Sequence, residues 1–305
     1  MDQTWAASRR AGRDRPAVDE RGNTPRSAAT ESAQPPQLSV ITPVFPTTSP
    51  YLLAALDSLL RENQLAWRWE IQVDGESVDT LPAALLHHPN VRAEANGRWL
   101  GPAMTRNRAL GRVDAPFVVA LDADDLVEPD GLAALVEALR ANDAAGFAWG
   151  DVIEFFPEGH GELELRGQRS PFPIGLIEVG ALENYWLRTG NDGMYFTAIC
   201  WRTRVLFELG GWSGLSGMED TGLALAASHR FRSYHLDAVV MRHRVHPGQT
   251  TLTDIYAHDR VITRRWLWRC CNARRERDGM APLPLPSDPE AGRESTRARV
   301  FKLNR

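Results

Sequence analysis

From residue 38 to residue 156, short apolar runs alternate with stretches whose leucines and alanines recur every three or four positions. "LSVITPVF" (38–45) is an apolar run stopped by prolines and predicts a strand. Ser49 and Pro50 then supply an N-cap and a first-turn proline to "YLLAALDSLLREN", which predicts a helix. "WEIQVD" reads as a second strand, "PAALLHH" as a short helix and "NVRAEA" as a third strand. Gly101-Pro102 opens a helix through "AMTRNRALG", and "APFVVALD" has the unbroken apolar character of a strand buried on both faces. "DGLAALVEALRAN" is amphipathic and "GFAWGDVIEFF" strand-like. This alternation predicts an α/β fold with a mostly parallel central sheet flanked by helices, in which ligands bind beyond the carboxyl ends of the strands. The second half is less regular. It predicts a strand in "YFTAICW", a helix in "RTRVLFELGGW" closed by Gly210-Gly211, a helix from about "MEDTGLALAAS" and strands in "YHLDAVVMRHRVH".

Outside this region the periodicity disappears. Residues 1–36 mix Arg, Ser, Ala, Pro, Gln and acids and predict a disordered leader; 282–305 have the character of a flexible tail. The folded domain is expected over 37–281, in two halves at about 37–150 and 151–281. A chain of 305 residues, 43% hydrophobic and 24% charged, has ample material for a core. Its net charge of −4 provides no basic field, which argues against a nucleic-acid partner. The cysteines (Cys200, Cys270, Cys271) form no CxxC pair, so neither a disulfide framework nor a zinc site is indicated. Lysine occurs only at Lys302, which disfavours Schiff-base chemistry and a phosphate-binding GK[ST] loop. No apolar run approaches the ~20 residues that span a bilayer. Arg9-Arg10 leads into "AGRDRPAVDE" rather than an apolar signal core, so a cytoplasmic location is expected.

The densest chemistry lies in "VVALDADDLV" (118–127), where three carboxylates follow an apolar run. In an extended segment Asp122 and Asp124 leave the same face and Asp125 the other. Two such carboxylates suit Mg²⁺ or Mn²⁺, which completes its shell with water and phosphate oxygens. The same letters also describe a solvated turn in which Asp130 starts the next helix. An apolar strand followed by DxD further resembles the haloacid-dehalogenase type of phosphatase. Asp125, in place of the Thr or Val usual there, and the absence of a core lysine weigh against that kinship.

Five patches in order resemble the family 2 inverting glycosyltransferases, which have the GT-A nucleotide-diphospho-sugar transferase fold, over about residues 38–250. "SVITPVF" matches the strand and loop that begin the nucleotide site and implicates Pro43 and Val44. "EIQVDGESVD" is similar to the family's VDDGSxD; Asp74 stands at the first acid and Gly75 replaces the second. "NGRWLGPAMTRNRAL" looks like the glycine-started helix that carries Arg-Asn, and it implies Arg106 near the donor phosphates. "LDADD" implies Asp122 at the donor and Asp124 as principal metal ligand. "GGWSGLSGMEDTGLALAAS" resembles the segment whose acid pair holds the catalytic base, here Asp220 in preference to Glu219, with Thr221-Gly222 where an aromatic is usual. A further segment, "MRHRVHPGQTT", resembles the family's closing RxHxxxxS and implies His246 at the metal or diphosphate.

The resemblance therefore implies a metal-dependent inverting transfer of sugar from a nucleoside diphosphate sugar to an acceptor hydroxyl, with Mn²⁺ or Mg²⁺ and a UDP-sugar as the default donor. The aromatic stretch "ENYWLRTGNDGMYF" is a candidate acceptor wall or ordinary core. "TRRWLWRCCNARRER" (263–277) is compatible with peripheral contact to an anionic membrane or with packing on its own domain. Two other functions remain open on the sequence: a nucleotidyltransferase or phosphatase using the same acids, and a noncatalytic sugar-nucleotide binder.

Overall fold

The run at 38–44 forms a central strand, β1 (Leu38–Val44), in which every residue is buried. The computed structural model describes residues 35–156, 166–168, 170–249 and 254–286. The expected leader up to residue 34 and the tail from residue 287, Lys302 included, lie outside the described residues.

After β1 come α1 (Leu52–Leu59), β2 (Trp67–Val73), α2 (Ala83–Leu86), β3 (Val91–Ala95), α3 (Pro102–Leu110), β4 (Phe117–Ala120), β5 (Leu126–Val127) and α4 (Gly131–Ala141). The second half adds β6 (Ala145–Phe155), β7 (Arg166–Gln168), β8 (Gly175–Ile177), α5 (Ala181–Thr189), β9 (Ile199–Arg202), α6 (Thr203–Leu209), α7 (Glu219–Arg230), β10 (Arg232–Arg244) and α8 (Asp254–Arg277). The strands join one sheet in the order β3-β2-β1-β4-β9-β6-β10-β5, with β7 beside β6 and β8 beside β10. β1 pairs in parallel with β2 and β4, β2 with β3, and β6 with β10. β9 enters antiparallel between β4 and β6, so strands of both halves complete a single mixed sheet.

Side-chain alternation on β1 assigns its two faces. Leu38, Val40 and Val44 pack with the leucines of α1 and α4, while Ile41 packs with Ala109 and Leu110 of α3 and Val205 and Leu206 of α6. Helices thus cover both faces, as the sequence pattern predicts. Parallel alignment then brings the carboxyl ends of β2, β1 and β4 to one edge, where Asp74, Val44 and Asp122 follow one another in space.

One local expectation differs from the structure, and the choice left open between acceptor wall and core falls to core at Trp186. "YHLDAVVMRHRVH" is one long strand, β10, whose register shifts between His235 and Met241 rather than breaking into separate strands. "ENYWLRTG" carries α5, bounded by Gly180 and Gly190 in left-handed conformations, and its Trp186 is fully buried in the core rather than open to an acceptor. Among the described residues no helix is long and apolar enough to cross a membrane.

Candidate active site

Just beyond β2, the buried carboxylate of Asp74 accepts hydrogen bonds from the backbone N–H groups of Leu100 (2.6 Å) and Gly101 (2.8 Å) and from the Asn96 amide (2.8 Å). It therefore fixes the loop that launches α3. Gly101 adopts φ of +85°, a conformation that favours glycine, and Pro102 follows at the first helical turn. Val44 is buried, and its carbonyl accepts the Asp74 N–H at 2.8 Å. Pro43 is buried as well, and the chain reaches solvent from Phe45 onward. Phe45 leans against Trp99, which is 67% exposed, with ring centroids 5.1 Å apart.

α3 carries the Arg-Asn pair. Arg106 is buried and donates to Asp122 Oδ1 (2.7 Å) and Glu219 Oε1 (2.8 Å), with Asp220 Oδ2 3.6 Å away. Burial works against its charge, but Asp220, Asp122 and Glu219 outweigh it and hold the guanidinium above its ordinary range. The cation expected beside donor phosphates is thus turned toward three carboxylates of the chain itself. Asn107 makes a second link: its amide donates to the Trp212 carbonyl (2.7 Å) and its oxygen accepts the Trp212 N–H (2.8 Å). The glycine pair makes room for that clamp. At Gly211, φ is +72° and a Cβ would lie 2.3 Å from the Asn107 oxygen.

The clamped turn delivers the acid pair to the start of α7. Met218 takes a left-handed conformation (φ 58°) as N-cap, and Glu219 and Asp220 occupy the first turn, where the helix dipole favours negative charge. The two acids are not equivalent. Glu219 is buried on Arg106, whereas the Asp220 side chain keeps 24% of its surface open to solvent and accepts the Trp212 indole N–H at 2.6 Å. Burial pushes the Asp220 carboxyl up to about 7; Glu219 and Asp122 add to the rise, and Arg106 and the indole oppose it. A carboxylate with that proton affinity suits general-base work at neutral pH.

The aspartates after β4 do not simply alternate along a strand. The Asp125 N–H donates to the Asp122 carbonyl at 3.1 Å, which closes a turn, and each acid then takes a different partner. Asp122 pairs with Arg106 and its side chain remains 43% exposed. Asp124 accepts from His246 Nε2 at 2.8 Å. The His246 Nδ1 accepts the Gly248 N–H at 3.2 Å, which assigns the ring proton to Nε2. Asp125 is fully buried, accepting from His243 Nδ1 (3.0 Å) and the Arg244 N–H (3.0 Å); it ties the turn to the end of β10. Among the described residues no three His, Cys, Asp or Glu side chains converge as a ready metal cage.

Three further residues were not singled out by the sequence. Trp212 lies inside the quoted "GGW", but nothing in the letters says that its indole meets Asp220. Asp192 accepts from Thr221 Oγ1 at 3.2 Å, so it is held by the residue that follows the expected base, and burial pushes its carboxyl up to about 6. Arg244 adjoins Asp124 from the end of β10.

Residues 39–179 match the family model described as Glycosyl transferase family 2. A 78-residue stretch is 41% identical to the succinoglycan biosynthesis protein ExoO of Rhizobium meliloti (strain 1021), covering 25% of this chain and 22% of that protein. Among solved structures, S. aureus TarS 1–349 superposes with a TM-score of 0.56 at 17% identity, covering 76% of this chain and 64% of that one. The mannosyltransferase PcManGT from Pyrobaculum calidifontis, in complex with GDP-Man and Mn²⁺, gives 0.54 at 20% identity, covering 88% and 71%. The chain thus spans about a fifth of the curated relative and just under two thirds of the TarS fragment. Both structures bear out the expected GT-A fold.

The carbon-13 titration of Asp220 in aspartate-labelled protein tests its environment. A midpoint near 7 is expected. Trp212→Phe removes a donor that favours the ionised form, so Asp220 should then hold its proton roughly tenfold more tightly. An unmoved midpoint would mean that the indole does not stabilise the carboxylate.

Proposed function

From the match of residues 39–179 to the glycosyltransferase family 2 model, we propose that the chain transfers a sugar from a nucleoside diphosphate sugar to an acceptor hydroxyl with inversion. The observation that carries this reading is Asp220, a partly open carboxylate with a near-neutral pKa of about 7, fixed to Arg106 and, through it, to the DxD turn. Asp220 accepts the hydroxyl proton as the acceptor oxygen attacks the anomeric carbon. The bond from that carbon to the diphosphate breaks on the opposite face, and nucleoside diphosphate leaves. Such a base contributes roughly 10²–10⁴-fold. Glu219 and Arg106 act by holding the base in place.

Donor binding falls to the edge formed by Pro43, Val44, Asp74 and Asp122. TarS is described in complex with UDP-GlcNAc and PcManGT with GDP-Man, which supports a nucleotide-sugar donor and leaves uridine against guanosine to be measured. Gly75 removes one acid that the family uses on that side. Asp124 and Asp122 are the residues to hold Mn²⁺ or Mg²⁺, with His246 adjoining. Asp122 Oδ1 is engaged by Arg106 and Oδ2 has no protein partner among the described residues, which fits a hard cation that takes few protein ligands. A cation bound there would neutralise charge developing on the departing diphosphate.

A second partner is proposed for α8. Its inner side, Leu267 and Cys271, packs in a cluster with Trp186 and Leu225. Its outer side exposes Val261, Ile262 and Trp266 among Arg265 and Arg269. Apolar residues set among arginines fit an anionic lipid surface.

Two measurements test these assignments. With Mn²⁺ and a panel of nucleotide sugars, the protein should release nucleoside diphosphate, and Asp220→Asn should lower the rate about 10²-fold or more while leaving donor binding intact. The wild-type rate should rise with pH through about 7, because only the ionised carboxyl accepts a proton. Release of pyrophosphate or orthophosphate, or full activity in Asp220→Asn, would contradict the assignment. For α8, vesicles containing phosphatidylserine should sediment the wild-type protein but not Ile262→Ser/Trp266→Ser, and equal sedimentation of the two would remove the lipid proposal.

A further inference from the structure

The loop at 190–193 leads out of α5 and is held at both ends. The Gly190 carbonyl accepts from Arg264 of α8 at 2.9 Å, and the Gly193 carbonyl accepts from Ser170 Oγ at 2.8 Å. A Cβ at Gly193 would lie 2.8 Å from the Phe172 ring and 3.1 Å from that of Tyr185, so the backbone lies directly against both rings. A loop fixed in this way presents Asp192 in one position. Its Oδ1 accepts from Thr221 Oγ1 at 3.2 Å, its Oδ2 has no donor among the described residues, and the residue stays partly open to solvent. Other acids of the second half are engaged by charged or phenolic donors. Glu183 is taken up by His229 and Arg274, Glu219 by Arg106, and Glu154 accepts from the Tyr195 hydroxyl at 2.7 Å.

Thr221 directly follows Asp220 in the first turn of α7, so the residue that holds Asp192 adjoins the proposed base. Successive helical residues diverge by about 100°, so the two carboxylates stand at different angles around one helix end. An acceptor with a single hydroxyl would meet only Asp220. An acceptor with several can place the reacting hydroxyl at Asp220 and another at Asp192. Phe172 and Tyr185, partly open and 5.2 Å apart in an edge-on pair, border the same loop and offer apolar surface to a sugar ring. We propose that Asp192 determines acceptor specificity and that the acceptor is a carbohydrate, a non-reacting hydroxyl of which donates to Asp192 Oδ2. This rests on the transfer reaction proposed above and names the acceptor class for it. A hydrogen bond to an ionised acceptor typically contributes about 10- to 100-fold, and a site built around one discriminates against partners that lack the hydroxyl.

The test compares a glycoside with a simple alcohol as acceptor. Rates are measured on the full chain at pH 8, above the titration of both carboxyls, with Mn²⁺ and whichever nucleotide sugar the protein consumes. The acceptors are the methyl glycosides of glucose, galactose, mannose and N-acetylglucosamine, and 1-butanol, which brings a reacting hydroxyl and none for Asp192. Wild-type protein should favour at least one glycoside over butanol by about tenfold or more in kcat/KM. Asp192→Asn keeps an oxygen for Thr221 and should bring that ratio toward unity, chiefly by raising the glycoside KM, with the donor KM unmoved. Thr221→Val leaves the carboxylate in place but unheld and should lower the ratio by a smaller factor. Asn191→Ala, an exposed neighbour in the same loop, should keep the wild-type ratio. A ratio unchanged in both Asp192→Asn and Thr221→Val, or consumption of donor with no glycoside in the panel modified, overturns the inference and leaves the donor reading standing. If no nucleotide sugar is consumed at all, the donor reading falls, and this inference with it.

Discussion

A single buried guanidinium organises the site. Arg106 reaches Asp122 after β4 and the Glu219-Asp220 pair at the start of α7, so motifs lying 16 and 113 residues from it converge on one side chain. The arrangement follows from electrostatics. Three carboxylates gathered at the edge of a sheet would repel one another, and a desolvated cation among them makes the assembly tolerable. The compensation is incomplete, since three negative charges face one positive. The remaining imbalance, together with burial, is expressed as the raised proton affinity of Asp220.

The polypeptide around Arg106 is shaped to deliver these groups. Asp74 pins the loop before α3, which fixes where Arg106 and Asn107 emerge. Asn107 clamps the Gly210-Gly211-Trp212 turn, which in turn orients Trp212 toward Asp220. The left-handed Met218 then swings the chain into α7. On the other flank, buried Asp125 ties the DxD turn to β10 and thereby carries His246 and Arg244 to Asp124. The antiparallel insertion of β9 makes this possible by joining β6 and β10 of the second half to the parallel strands of the first half in one sheet.

Much of this was legible in the chain because burial on two faces writes itself as unbroken apolar runs. β1, β4 and α4 follow from hydrophobic pattern alone, and Gly101-Pro102 and Gly210-Gly211 mark a helix start and a helix end through backbone chemistry. α5 was not legible. Its buried residues, Leu182, Trp186 and Leu187, are too few and too mixed with polar ones to set a period. The two- and three-residue strands β5, β7 and β8 take their identity from their partners. At the site, residue types and order nominated the acids, but pairing is a property of three dimensions. Nothing in "TRN" says that its arginine meets carboxylates of the chain, and nothing in "GNDG" says that its aspartate meets Thr221 of α7.

The account depends on Arg106 and the α7 acids acting as one unit. A double-mutant cycle with Arg106→Met and Glu219→Gln, read by urea unfolding, measures that directly. Each single change leaves a buried charged partner behind and should cost several kcal/mol, whereas the double variant should cost less than the sum, with a coupling of about 2 kcal/mol. Strictly additive costs would show that the two side chains do not interact and would contradict the arrangement from which the rest of the site is derived.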